Sequence, residues 1–145
     1  MNYSRRELGA LLPVLAAAAT QQLEGAPQTL PSKCYEFGSL PEKTNPQNHN
    51  ESRNVFDGLT HDGTHIDMHI TTLMPGQMPH PAHHHEWEEI VMLQTGTLEV
   101  TILDKKTRIG PGSVAYVYSN EEHGWKNVGD SPAQYFVLAV GRPKT

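Results

Sequence analysis

From about residue 53 to residue 140 the chain is a succession of short apolar runs, none with the 3.6-residue period of a helix. Where alternation is clean, as at Val114, Tyr116 and Tyr118, it has the period of two that sends strand side chains to opposite faces. The pattern predicts strands near 53–60, 65–74, 87–94, 97–103, 106–109, 113–118, 123–128 and 133–140. A short first strand is expected at Cys34 to Phe37. Turn formers separate these runs: Asp62-Gly63, Pro75-Gly76, Thr95-Gly96-Thr97, Asp104-Lys105, Pro111-Gly112 and Gly129-Asp130. Short, regularly spaced strands punctuated in this way indicate an all-β sandwich or barrel.

The first 52 residues read differently. Residues 1–20, MNYSRRELGALLPVLAAAAT, open polar and basic and then run weakly apolar from Leu8 to Ala19. That run is too short to span a bilayer, which needs about 20 apolar residues. Ser4-Arg5-Arg6 before Leu8, with small-x-small alanines at 16–19, fits a bacterial twin-arginine export signal. An ordinary amphipathic helix is the competing reading, but no polar stripe continues after Glu7. The expectation is a leader over residues 1–19 and a periplasmic or secreted product. Gln21 to Pro31, with Gly25 and Pro27, reads as a linker, and Leu40 to Glu51 as a loop covering a barrel end. The predicted organisation is thus a leader over 1–19, a linker and edge strand over 20–52, and a barrel over 53–141.

Charge narrows the partners. The net charge is −5, and the 11 Lys and Arg residues are scattered. That disfavours nucleic acid or an anionic membrane surface as the main partner. A single cysteine, Cys34, excludes an internal disulfide and a CxxC site, and reads as structural filler at the head of a strand. Arginine beyond the leader is confined to Arg53, Arg108 and Arg142, which disfavours a clamp for a phosphate or dicarboxylate.

The densest chemistry lies in GQMPHPAHHHEWEEIVMLQTG, from Gly76 to Gly96. His83, His85 and Glu89 are spaced His-x-His-x3-Glu, and in an extended strand they share one face. Two imidazoles and a carboxylate so placed form a chelate for a divalent transition metal. Glu86 and Glu88 flank the set, but parity points Glu88 the other way. His80 precedes Pro81 in an irregular approach. A second segment, GSVAYVYSNEEHGWKN, turns at Ser119-Asn120 and continues through His123 to Asn127.

Together the two segments resemble the two motifs of the cupin family, in the family's order. Gly76, His83, His85, Glu89 and Gly96 match the first, with one extra residue before His83. Gly112, His123 and Asn127 match the second, whereas Tyr118 stands where proline is usual and Asn120 where glycine is usual. Asn tolerates positive φ and can turn the chain as glycine would. The resemblance spans about residues 53–141. It implies a double-stranded β-helix of the jelly-roll kind. It also implies a single divalent metal (Mn, Fe, Co, Ni or Zn) on His83, His85, Glu89 and His123, and a homodimer in which Tyr35 to Phe37 forms an edge or exchanged strand.

For His49, His61, His65 and His84 a surface or satisfied-core role is the expectation. Trp87, Trp125 and Asn127 share faces with the ligand positions and are candidate wall residues, with packing an equally good account of the aromatics. His69 and Gln77 are candidates for second donors or a base, although His69, alternating with Asp67 and Thr71, fits a polar network as well. Two function classes follow. One is a metal-dependent enzyme acting on a small organic molecule by dioxygenation, decarboxylation, isomerisation or hydrolysis. The other is a non-catalytic ligand- or carbohydrate-binding or sensing module.

Overall fold

The computed structural model describes residues 28–141. The expected leader, the first part of the linker and Arg142 lie outside the described residues. Among the described residues, nine strands follow a single 3-10 turn at Phe37–Ser39: β1 Glu42–Thr44, β2 Glu51–Leu59, β3 His65–Leu73, β4 Glu88–Thr95, β5 Leu98–Ile102, β6 Lys105–Ile109, β7 Val114–Val117, β8 His123–Asn127 and β9 Ala133–Gly141. One sheet has the order β1-β2-β3-β9-β4-β7, the other β6-β5-β8, and every pairing is antiparallel. The expected all-β jelly roll is what the chain forms.

Alternation sets the core. Along β9, Ala133, Tyr135, Val137 and Ala139 are buried while the residues between them are half-exposed. β9 lies between β3 and β4, with Leu73 opposite Ala133 on one side and Val91 opposite Val137 on the other. Leu98 and Val100 of β5 and Trp125 of β8 close the core from the second sheet. Fully burying each such aliphatic side chain contributes about 1.5–3 kcal/mol.

The eight strands expected from residue 53 onward lie within a few residues of the observed β2 to β9. The N-terminal part differs. Cys34 to Phe37 forms no strand; the chain there is irregular, Cys34 is exposed, and a strand forms instead at Glu42–Thr44 within the expected loop. The cause is tertiary. The Arg53 guanidinium lies over the Phe37 ring at 4.7 Å, donates to the Leu40 carbonyl at 2.8 Å and pairs with the Glu42 carboxylate. Those contacts hold Glu42 opposite Arg53 in the β1–β2 ladder. Tyr35 packs on Phe56 of its own β2 (5.7 Å). Upstream, Leu30 N–H donates to Leu59 O and Leu59 N–H to Gln28 O, which stitches residues 28–30 to the edge of β2. Gly58 permits this approach, since a Cβ there would lie 2.6 Å from Gln28 O.

Candidate metal centre

Two remote segments meet through backbone. His83 N–H donates to His123 O (3.0 Å) and His123 N–H to His83 O (2.8 Å), the reciprocal pair of an antiparallel bridge. Gly124 makes room for it, because a Cβ there would come within 3.3 Å of Ala82 Cα. The turn before β8 docks on the same stretch: Asn120 N–H donates to His85 O (2.7 Å) and Ser119 Oγ to Glu86 O (2.7 Å). Asn120 has φ of 64°, the left-handed conformation that glycine usually supplies. Tyr118 follows the end of β7 and is exposed, so no proline is needed to shape a buried hairpin.

Side chains converge accordingly. One ring nitrogen from each of His83, His85 and His123 lies within 4.8 Å of the others. Glu89, inward on β4, brings Oε1 to 3.1 Å from His85 Nε2 and Oε2 to 3.3 Å from His123 Nε2. Glu88 turns to the opposite face, beside Thr64 and Val140. His123 is 1 % exposed.

The outer nitrogens show how the rings are set. His85 Nδ1 donates to Trp87 O (2.8 Å) and His123 Nδ1 to Glu121 O (2.8 Å), so each ring turns its Nε2 to the centre. His85 Nε2, His123 Nε2, Glu89 Oε2 and His83 Nδ1 are all buried without a hydrogen-bond partner. Polar atoms buried in this way are costly unless something satisfies them. Unpartnered atoms on four neighbouring residues suit a divalent cation, and a donor set of three imidazoles and one carboxylate suits a first-row transition ion. Burial, and after it the neighbouring imidazoles of His80, His123 and His85, lowers the His83 pKa; Glu89 opposes the shift. Its neutral form is the form that ligates.

The remaining candidates divide. His80 lies edge-on against His83 (4.2 Å) with Nδ1 3.0 Å from Pro81 O, outside the three-histidine group. Trp125 stacks on His123 (5.8 Å) and meets Tyr135 edge-on, so it floors the site as part of the core. Asn127 is fully buried and bonded to backbone, with Nδ2 donating to Leu73 O and Ser131 O and Oδ1 accepting from Gly129 N–H. It is an anchor rather than a wall. Gln77 takes part through its carbonyl, which accepts from Asn127 N–H at 2.9 Å. Trp87 and His69 do border the centre: with Asp67 and Ala139 they share a cavity of about 320 Å³ with His85 and Glu89. His65, expected to be bland, sits 2.5 Å from Asp57 and edge-on to Trp87 (4.7 Å). That association depends on cross-strand register, which no spacing along the chain reveals.

Residues 69–140 match the family model of the cupin domain. No curated protein matches the sequence. Among solved structures, TT1209 from Thermus thermophilus is 23% identical, covering 77% of this chain and 100% of its own, with a TM-score of 0.63. KdgF from Halomonas sp. is 16% identical, covering 79% and 97%, with a TM-score of 0.66. A predicted oxalate decarboxylase from Thermotoga maritima is 17% identical, covering 75% and 99%, with a TM-score of 0.61. The match to the cupin domain thus spans residues 69–140, and the described residues share the fold of these solved structures. Among the described residues, no helix is long and apolar enough to cross a membrane.

Proposed function

We propose that the protein is a metal-dependent cupin enzyme holding one divalent transition ion on His83, His85, Glu89 and His123 and acting on a small organic molecule. The observation that carries this reading is the set of four buried donor atoms without hydrogen-bond partners, with two rings turned to them by carbonyls behind. Such a set leaves open positions on Mn, Fe, Co or Ni, whereas Zn is content with four ligands. A bound ion supplies Lewis acidity towards a substrate oxygen. The cavity beside His85 and Glu89 gives a small molecule room next to the donors. Dioxygenase, decarboxylase and isomerase chemistry all suit such a centre, and proteins of this fold include a predicted oxalate decarboxylase and a sugar phosphate isomerase.

Elemental analysis of purified protein tests the centre. About one equivalent of a transition metal is expected, and its loss in the H83A/H123A variant. No metal in either protein, even after reconstitution, would leave a non-catalytic binding barrel.

Two further parts of the proposal rest on other features. The Arg5-Arg6 leader directs export to the periplasm or beyond. A reporter fused behind residues 1–30 should stay in the bacterial cytoplasm once both arginines become lysine; unchanged export would refute this. A homodimer is supported by Val114 and Tyr116, which stand exposed and apolar on the edge strand β7. Sedimentation showing a monomer at micromolar concentration would remove it.

A further inference from the structure

Building on the metal-enzyme reading, we propose that His69, backed by Asp67, is the proton-transfer residue of this centre and that its substrate is an uncharged hydroxy-carbonyl compound. The geometry begins with register. Asp67 pairs with Ala139, and Ala139 with Glu89, so the three form one row across β3, β9 and β4. His69, Val137 and Val91 form the next row. Parity turns the odd-numbered positions of all three strands inward. Because the middle residue of the first row is only alanine, a hollow opens between Asp67 and Glu89. That hollow is the cavity of about 320 Å³, lined also by His69, His85 and Trp87.

Within it the imidazole is oriented. His69 Nδ1 lies 3.5 Å from Asp67 Oδ1, a long contact that leaves Nε2 as the nitrogen to exchange a proton with a bound molecule. Both side chains keep about a third of their surface exposed, which lets the proton exchange with water. His69 is none of the four donor residues.

The lining selects the substrate. It holds the carboxylates of Asp67 and Glu89 and no lysine or arginine. Away from the ion, a phosphate or carboxylate at the outer end of the substrate would meet the Asp67 carboxylate with no lysine or arginine beside it. Trp87 offers an aromatic face of the kind on which the C–H side of a sugar-like chain rests. It is held edge-on by His65 and backed by Gly141, where a Cβ would lie 2.8 Å from the Trp87 Cγ.

In the step itself, His69 removes the proton from the carbon next to the carbonyl. The C–H bond breaks and an N–H bond forms; the C–H pair becomes a C=C bond and the carbonyl π pair moves to oxygen. Returning a proton to the same carbon regenerates the substrate. Moving a proton between the two oxygens and returning one to the neighbouring carbon interconverts aldose and ketose.

The test follows the α-proton of dihydroxyacetone, D-glyceraldehyde and D-xylose by NMR in D2O with the metal-loaded protein, H69Q and D67N. Saturation-transfer difference spectra and metal content are read on the same samples. Wild type should exchange the α-proton, H69Q should lose about 100-fold or more, and D67N at least tenfold. Both variants should keep their metal and their saturation-transfer signal. Equal exchange in wild type and H69Q overturns the role of His69. Faster exchange with glycerate or dihydroxyacetone phosphate overturns the substrate class. No exchange by metal-replete wild type overturns the proton-transfer reading and leaves the metal centre standing, whereas wild type without metal removes the foundation of both.

Discussion

Every polar group of the Asn127 carboxamide is taken up by backbone: Nδ2 by the Leu73 and Ser131 carbonyls, Oδ1 by the Gly129 N–H. Truncation to alanine would strand three backbone partners, the Leu73 carbonyl among them buried, so N127A should lose about 2–4 kcal/mol by urea titration. Its metal stoichiometry below the melting transition should match wild type, because no ligand is touched. His83 offers a pH test. Its folded pKa lies below the ordinary value of 6.5, chiefly through burial. The metal-free protein should therefore be most stable above that value and lose stability as pH falls from about 6.5 through the folded pKa, since protons bind the unfolded chain first. Thermal melts of metal-free wild type and H83Q between pH 7.5 and 5 should converge as pH falls. A constant difference across that range would sink this account. The inward alignment of His83, His85 and Glu89 is legible because parity is a local property of a strand. The pairing of His65 with Asp57 is not, since it depends on the β2–β3 register, which shifts between Asn54 and Phe56.

At the scale of elements, turns place the strands. Gly96, between β4 and β5, has φ of 82°, and a Cβ there would lie 2.6 Å from Ala133 Cα and 2.9 Å from Pro132 O. Backbone cannot yield as a side chain tip can, so G96A should cost at least about 2 kcal/mol. Differential scanning calorimetry checks it, and a melting temperature equal to wild type would contradict the packing described for β9. The glycines and apolar alternation that make such turns and strands visible in the sequence are absent from residues 40–50. There a cation over an aromatic ring, Arg53 on Phe37, decides the path of the chain. Two residues so far apart carry no period, and the short strand Glu42–Thr44 is polar and exposed on every position. A loop expectation is what its composition supports.

For the whole molecule, the centre ties both sheets together, with Glu89 on β4 of the larger and His123 on β8 of the smaller. A ligand bound only by the folded state adds about 2.7 kcal/mol of stability at a hundred times its dissociation constant. Removal of metal with a chelator should accordingly lower the melting temperature of wild type, and H123A should show no such difference. An equal response in both would mean that the ion binds elsewhere. The backbone bridge between His83 and His123 carries one more consequence. Closing the chain between those positions costs about 3 kcal/mol of loop entropy, and an ion on the same two residues would fasten the closure from the side-chain side. It would act as a removable cross-link. The loaded barrel would then come apart at the rate at which its ion leaves, so its lifetime under a protease would follow metal exchange and not the intrinsic opening of its sheets.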